Sequence, residues 1–195
     1  MDLKARVKAI LFRPKEEWPV IAGESTNVSE LYQRYILILA AIGPVASIIG
    51  MSIVGVTVPM IGTFRVPLGT SLASAIVRYI ISVISVYILA LIIDALAPSF
   101  AGEKNRLQAL KVAAYSLTPF WVVGILSLIP ALGFLQILGL YSFYLLYLGL
   151  PVLMKSPKEK SLGYTIVVII VMILISLIIG AISGAFVSYP GAGLR

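Results

Sequence analysis

Cysteine and histidine are both absent from this chain. Without cysteine there is no disulfide, no thiolate metal site and no thiol nucleophile. Without histidine, the usual general base near neutral pH and the commonest metal ligand are lost together. Charge is scarce too: 12% of the 195 residues are Asp, Glu, Lys or Arg, about half the share in a soluble domain. HExxH, GxSxG and P-loop signatures are all missing, so no enzyme class is singled out. The opening stretch MDLKARVKAILFRPKEEW is charged throughout, without the apolar core and small-residue cleavage site of a signal peptide.

What fills the chain is apolar. Hydrophobic residues make up 60% of it and the mean hydropathy is +1.06, leaving too few polar side chains to coat a water-exposed globule. The net charge of +7 could suggest nucleic acid. However, the basic residues fall in short clusters between long apolar runs, the distribution of topology signals at a membrane.

Residues 1–13 place Leu3, Val7, Ile10 and Leu11 on one helical stripe, with Lys4, Arg6, Lys8 and Arg13 around the rest, and Pro14 ends the pattern. This predicts a short amphipathic helix at the membrane interface, its basic residues toward anionic lipid headgroups. The alternative is a cytoplasmic tail whose lysines only fix orientation. Residues 14–27 read as a loop, and Asn27 with Glu30 as a capping box.

Five segments then satisfy the roughly 20 apolar residues that a bilayer requires: about 35–56, 68–96, 109–129, 134–154 and 164–187. The second starts at Leu68 or at Tyr79, and Pro130 to Gly133 leave only a tight turn between the third and fourth. The expected organisation is a cytoplasmic segment over 1–33, a transmembrane domain over 34–188 and an external tail over 189–195. With five spans, one side receives Lys4, Arg6, Lys8, Arg13, Lys15, Arg34, Lys104, Arg106, Lys111, Lys155, Lys158 and Lys160, while the other receives Arg65 and Arg195. The positive-inside rule then puts the N-terminus in the cytoplasm and the C-terminus outside.

Polar groups inside the spans are the candidate functional residues. Arg78 either snorkels to the headgroups from the start of the second span or stands in the bilayer, where a charge costs about 2.5–3.5 kcal/mol. Asp94 and Lys111 should lie near the same ends of neighbouring spans and are predicted to pair. Tyr115, Ser116, Thr118, Pro119, Gln136, Tyr141, Ser142, Tyr144 and Tyr147 hold most of the remaining polarity. They read either as helix-to-helix hydrogen bonds or as a polar cleft between the third and fourth spans. Pro119 strips the Tyr115 carbonyl of its helical partner, and Tyr144 or Tyr147 is expected to answer it. Ser176, Gly180, Gly184 and Ser188 recur every four residues, a face for close helix packing.

The run AAYSLTPFWVVGILSLIPALGFLQILGLYSFYLLYLGLPVLMKSPKEKSLGYT, with FRPKEEWPVIAGESTNVSELYQRY before it, resembles the bacterial Yip-domain proteins, small five-pass membrane proteins related to the eukaryotic Yip family. The likeness runs from about Phe12 to Gly180, and its most specific pieces are Tyr115 with Pro119, Pro130, and the stretch from Tyr144 to Pro151. It implies a five-helix bundle with a cytoplasmic N-terminus. The eukaryotic relatives bind Rab-type GTPases. That role is not expected here, because the long N-terminal region and the Asp-Leu-Tyr-Gly-Pro motif of those relatives are missing, and Ala114-Tyr115 stands where many have Gly-Tyr.

The expectation is an all-α polytopic protein of a bacterial cytoplasmic membrane. It is non-catalytic, without cofactor or metal and without nucleic acid, and it organises membrane or scaffolds other proteins. Its partners would be the bilayer, anionic lipid headgroups at the N-terminal helix, and other membrane proteins or a second copy of the chain. The alternative is a small transporter, channel or lipid-moving protein using the cleft between spans three and four.

Overall fold

The computed structural model describes residues 2–58, 60 and 62–186. Its N-terminal segment is a helical hairpin. Asp2 caps α1 (Leu3–Phe12), its carboxylate accepting from the Lys4 N–H at 2.9 Å. Pro14 ends α1 as expected, but it then opens α2 (Pro14–Gly23), where its fixed φ and missing N–H suit a first helical position. The loop expected over 14–27 is therefore shortened to 24–27. Three charged residues and two prolines disguise this helix in the sequence; Trp18 and Ile21, both fully buried, stabilise it from the bundle side.

The long helices follow. Asn27 accepts from the Glu30 N–H at 2.9 Å and starts α3 (Val28–Val54). The Glu30 carboxylate turns away from the cap to Arg34, at 3.0 Å, so half of the expected box forms. α3 carries π-helical turns at Tyr32–Ile36 and Gly50–Val54 and stops at Gly55, whose φ of 85° favours glycine. An antiparallel pair, β1 (Val56–Val58) and β2 (Gly62–Phe64), spans the link that the sequence marks only as a break.

α4 runs Leu68–Leu96, the earlier of the two expected starts, and continues as a 3-10 turn over Ala97–Phe100. α5 (Arg106–Leu128) is capped by Asn105 and interrupted at Leu117, just before Pro119. α6 covers Pro130–Leu153 and α7 Lys158–Phe186. Ile129 alone turns the chain between α5 and α6, so α6 begins at Pro130 and not at Phe134.

Among the described residues, four helical segments are long and apolar enough to cross a membrane: Val28–Val54, Leu68–Phe100, Arg106–Leu128 and Pro130–Leu153. α7 is a further helix of 29 residues. Ser176, Gly180 and Gly184 lie on α7, but their side-chain environment is outside the description, and Ser188 is outside the described residues.

Around the α5–α6 turn the helices change character. Gly124–Leu128 and Pro130–Leu140 are both 3-10. At ~2.0 Å per residue instead of 1.5 Å, a 3-10 stretch reaches further for its length. Glycines bring α3 against it: a Cβ on Gly124 would sit 2.9 Å from the Gly43 Cα, and one on Gly50 would sit 1.9 Å from the Ser127 carbonyl oxygen. Such contacts drive helix association in lipid, where apolar burial gains little. The tight core lies at the opposite end, beside the loops over 101–105 and 154–157. There Trp18, Tyr35, Lys111, Tyr115 and Tyr164 are the largest fully buried side chains. At the same end Phe100 stacks on Tyr164 with ring centres 4.7 Å apart.

Candidate functional site

The N-terminal hairpin docks on this packed end. The stripe Leu3, Val7, Ile10 and Leu11 turns toward the protein, with Ile10 fully buried. Trp18 enters a notch at Gly149 on α6, where a Cβ would lie 2.7 Å from the indole ring. Only glycine fits there. The indole also meets Tyr115 edge-on, with ring centres 6.4 Å apart.

Four charges close over this contact. Arg6, 7% exposed, pairs with both Glu17 and Glu24, and its guanidinium lies 5.7 Å from the centre of the Tyr115 ring. Lys111 reaches from α5 to the end of α2, donating to the carbonyls of Ile21 at 2.9 Å and Glu24 at 2.7 Å. Gln108 donates to the Ala22 carbonyl at 3.2 Å. A helix end leaves its last carbonyls without partners and carries partial negative charge, so an ammonium there satisfies both needs. The expected pairing of Lys111 with Asp94 is replaced by these carbonyls. Asp94 is instead half-buried near Tyr164, with one carboxylate oxygen unpartnered.

Beneath the charges a second network crosses from α3 to α5. The carbonyl that Pro119 leaves free on Tyr115 accepts from the Thr118 hydroxyl at 2.8 Å. That hydroxyl has one proton, so the 2.6 Å contact with the Tyr35 hydroxyl must have Tyr35 as donor. This corrects the sequence reading, which gave the carbonyl to Tyr144 or Tyr147. Those two are 41% and 37% exposed on the outer side of α6. Thr118 wins because it sits three residues along the same helix and needs no second element to reach back.

The remaining candidates are scattered. Arg78 is exposed on α4. Gln136 is exposed and donates to Ser127 at 3.2 Å. Tyr141 donates to the Leu11 carbonyl at 3.1 Å, pinning the hairpin joint to α6. Tyr115 is in the core. Thr118 is one of the polar span residues that the sequence marks, whereas Arg6, Glu17, Trp18, Glu24 and Tyr35 are not singled out there as site residues. Of these, Trp18 and Arg6 carried a signal: a tryptophan in an apparent loop and an arginine beside an apolar stripe. Among the described residues no group of three or more His, Cys, Asp or Glu could hold a metal.

The arrangement joins an N-terminal hairpin to a membrane-crossing bundle through a neutral set of charges whose two cations, Arg6 and Lys111, are buried. The chain is 26% identical over 165 residues to the inner membrane protein YohC of Escherichia coli strain K12, and equally to YohC of E. coli O6:H1 strain CFT073. Each match covers 83% of this chain and 85% of the relative. No solved structure matches the chain. With several long apolar helices and these relatives, it is an all-α, multi-pass protein of the cytoplasmic membrane. The model of the Yip1 domain matches residues 8–180, nearly the whole bundle and most of its hairpin, and the chain belongs to that family.

Proposed function

We propose that the protein is a non-catalytic organiser of the bilayer, with its N-terminus in the cytoplasm and five spans. The level at which its lipid-facing surface ends carries this reading. Tyr141 binds the hairpin joint, Gly139 faces Phe120, and Trp121 donates to Ser82 at 3.2 Å, so the charged hairpin tip stands about level with Ser82 on α4. On the far side the apolar surface continues past that level. Ile84, Tyr87 and Leu91 on α4 are exposed, as are Leu162 and Ile166 on α7. Tyr164 donates to the Ile93 carbonyl, which fixes α7 beside that part of α4. Ser82 to Ile93 is eleven residues, or ~16 Å of helix, about half the hydrocarbon thickness.

A flat bilayer cannot meet both borders of an upright bundle. Lipids thin beside the hairpin or the bundle tilts, each at modest cost per Å, and the thinning gives the membrane a slope around the protein. The transport alternative finds less support. Arg78 and Gln136 are exposed, Tyr115 is buried, and the Tyr35–Thr118–Tyr115 groups are satisfied helix to helix.

Single nitroxides at Phe12→Cys and Leu162→Cys, both on exposed positions, test this in reconstituted vesicles. Accessibility to oxygen and to a water-soluble relaxer should place both near the headgroups, at matching depth. A passive upright bundle would leave one of them ~16 Å deeper than the other, and that result would overturn the reading.

A further inference from the structure

We propose that the notch at the tip of the N-terminal hairpin binds the headgroup of an anionic phospholipid. The notch has a volume of about 330 Å³, at the lower end of small-ligand sites. Arg13 and Lys15 line it from the hairpin joint, and Tyr141 and Tyr144 from α6. Both basic side chains are exposed and neither has an ion-pair partner among the described residues. One carboxylate, that of Glu16, shares the wall. The other acid in the first turn of α2, Glu17, is committed to Arg6. The notch therefore holds one more positive charge than negative.

Its shape and place suit a lipid more than a soluble anion. Phe12, 77% exposed, stands beside Arg13, and the lipid-facing residues Phe134, Ile137 and Leu138 lie further along α6. A ligand with a phosphate between Arg13 and Lys15 would meet apolar surface on one side and water on the other, as a phospholipid at the bilayer surface does. Arginine offers a planar fork for phosphate oxygens, and lysine a point charge. Tyr144, with no hydrogen bond among the described residues, adds a donor. The hydrogen bond from Tyr141 to Leu11 holds the two walls together without using the groups that would bind.

This inference rests on the reading that the hairpin tip lies at the bilayer surface. The test uses the full chain in phosphatidylcholine vesicles with spin-labelled phosphatidylglycerol or spin-labelled phosphatidylcholine, reading the motionally restricted fraction. Phosphatidylglycerol should be preferred by about fivefold for each basic group engaged, the factor matching ~1 kcal/mol per basic residue near an anionic surface. R13Q with K15Q should remove most of the preference, and Glu16→Gln should raise it. Lys4→Gln with Lys8→Gln, on the same hairpin outside the notch, should leave most of it. Soluble glycerol phosphate at millimolar concentration should not displace the labelled lipid. Displacement would assign the notch to a free phosphate ester. A preference unchanged in R13Q with K15Q, or lost equally with the Lys4 and Lys8 pair, would overturn the proposal. If the nitroxide at Phe12→Cys still reports the headgroup level, that failure leaves the membrane-organising reading standing.

Discussion

Replacing Lys111 with methionine removes one ammonium from the base of the hairpin while keeping the volume of the side chain. The side chain is 1% exposed and makes two charge-assisted hydrogen bonds, of 2.7 and 2.9 Å, to the end of α2. In the variant the Glu24 carbonyl loses this donor, and the Ile21 carbonyl keeps only the long contact from the Glu24 N–H at 3.4 Å. The charges around Arg6 also change from balanced to one negative in excess. Removing one partner of a buried charged set costs about 3–5 kcal/mol, and the relief from no longer desolvating an ammonium offsets part of it, leaving roughly 2–4 kcal/mol. For a chain of this size that lowers Tm by about 5–15 °C. The assay is a thermal melt in detergent, paired with reaction of a thiol reagent at Ile10→Cys in both backgrounds. The chain has no native cysteine, and Ile10 is fully buried beneath the hairpin, so faster labelling reports undocking. Equal melting and equal labelling with and without Lys111→Met would refute the idea that the ammonium holds α2.

Gly149→Ala puts a methyl group against the Trp18 ring and should cost about 1–3 kcal/mol in the same melt, an overpacking effect that Trp18→Phe partly reverses. Thr118→Val leaves the Tyr115 carbonyl and the Tyr35 hydroxyl without their shared partner, for a loss of about 1–3 kcal/mol, and Tyr35→Phe costs less. Tyr144→Phe and Tyr147→Phe, on exposed positions, should shift stability by about 0.5 kcal/mol or less. In intact cells, an impermeant thiol reagent added outside should label Thr63→Cys and spare Asn105→Cys; labelling of Asn105→Cys would reverse the orientation drawn from the basic residues.

The long helices were legible because each apolar run is longer than any soluble helix needs, and the breaks at Pro67 and Pro98 mark their limits. The resemblance read from Tyr115, Pro119, Pro130 and the stretch from Tyr144 to Pro151 led to the right family. The site was far less legible. The carbonyls that Lys111 answers belong to a helix whose own sequence, PKEEWPVIAG, lacks a helical period, because its stability comes from the Trp18 contact with Gly149. Periodicity also could not tell whether the stripe at Leu3, Val7 and Ile10 faces lipid or protein, since both are apolar. The partner of the Tyr115 carbonyl was sought on a facing helix when a threonine next to the proline stood closer.

Arg6 and Lys111 against Glu17 and Glu24 sum to zero within one small volume. Seen from a distance such a set has no monopole, and its field dies away faster than that of any of its members. Added salt has little to screen there, both because Arg6 and Lys111 are buried and because the four groups already screen one another. Ionic strength therefore acts on the two ends of the hairpin differently. Its base stays docked in dilute buffer and in concentrated salt alike, while the uncancelled charges of Lys4, Lys8, Arg13 and Lys15 on its outer side lose their pull on an anionic surface as the Debye length shrinks. The hairpin thus separates a salt-blind hinge from a salt-sensitive face within twenty-four residues of chain.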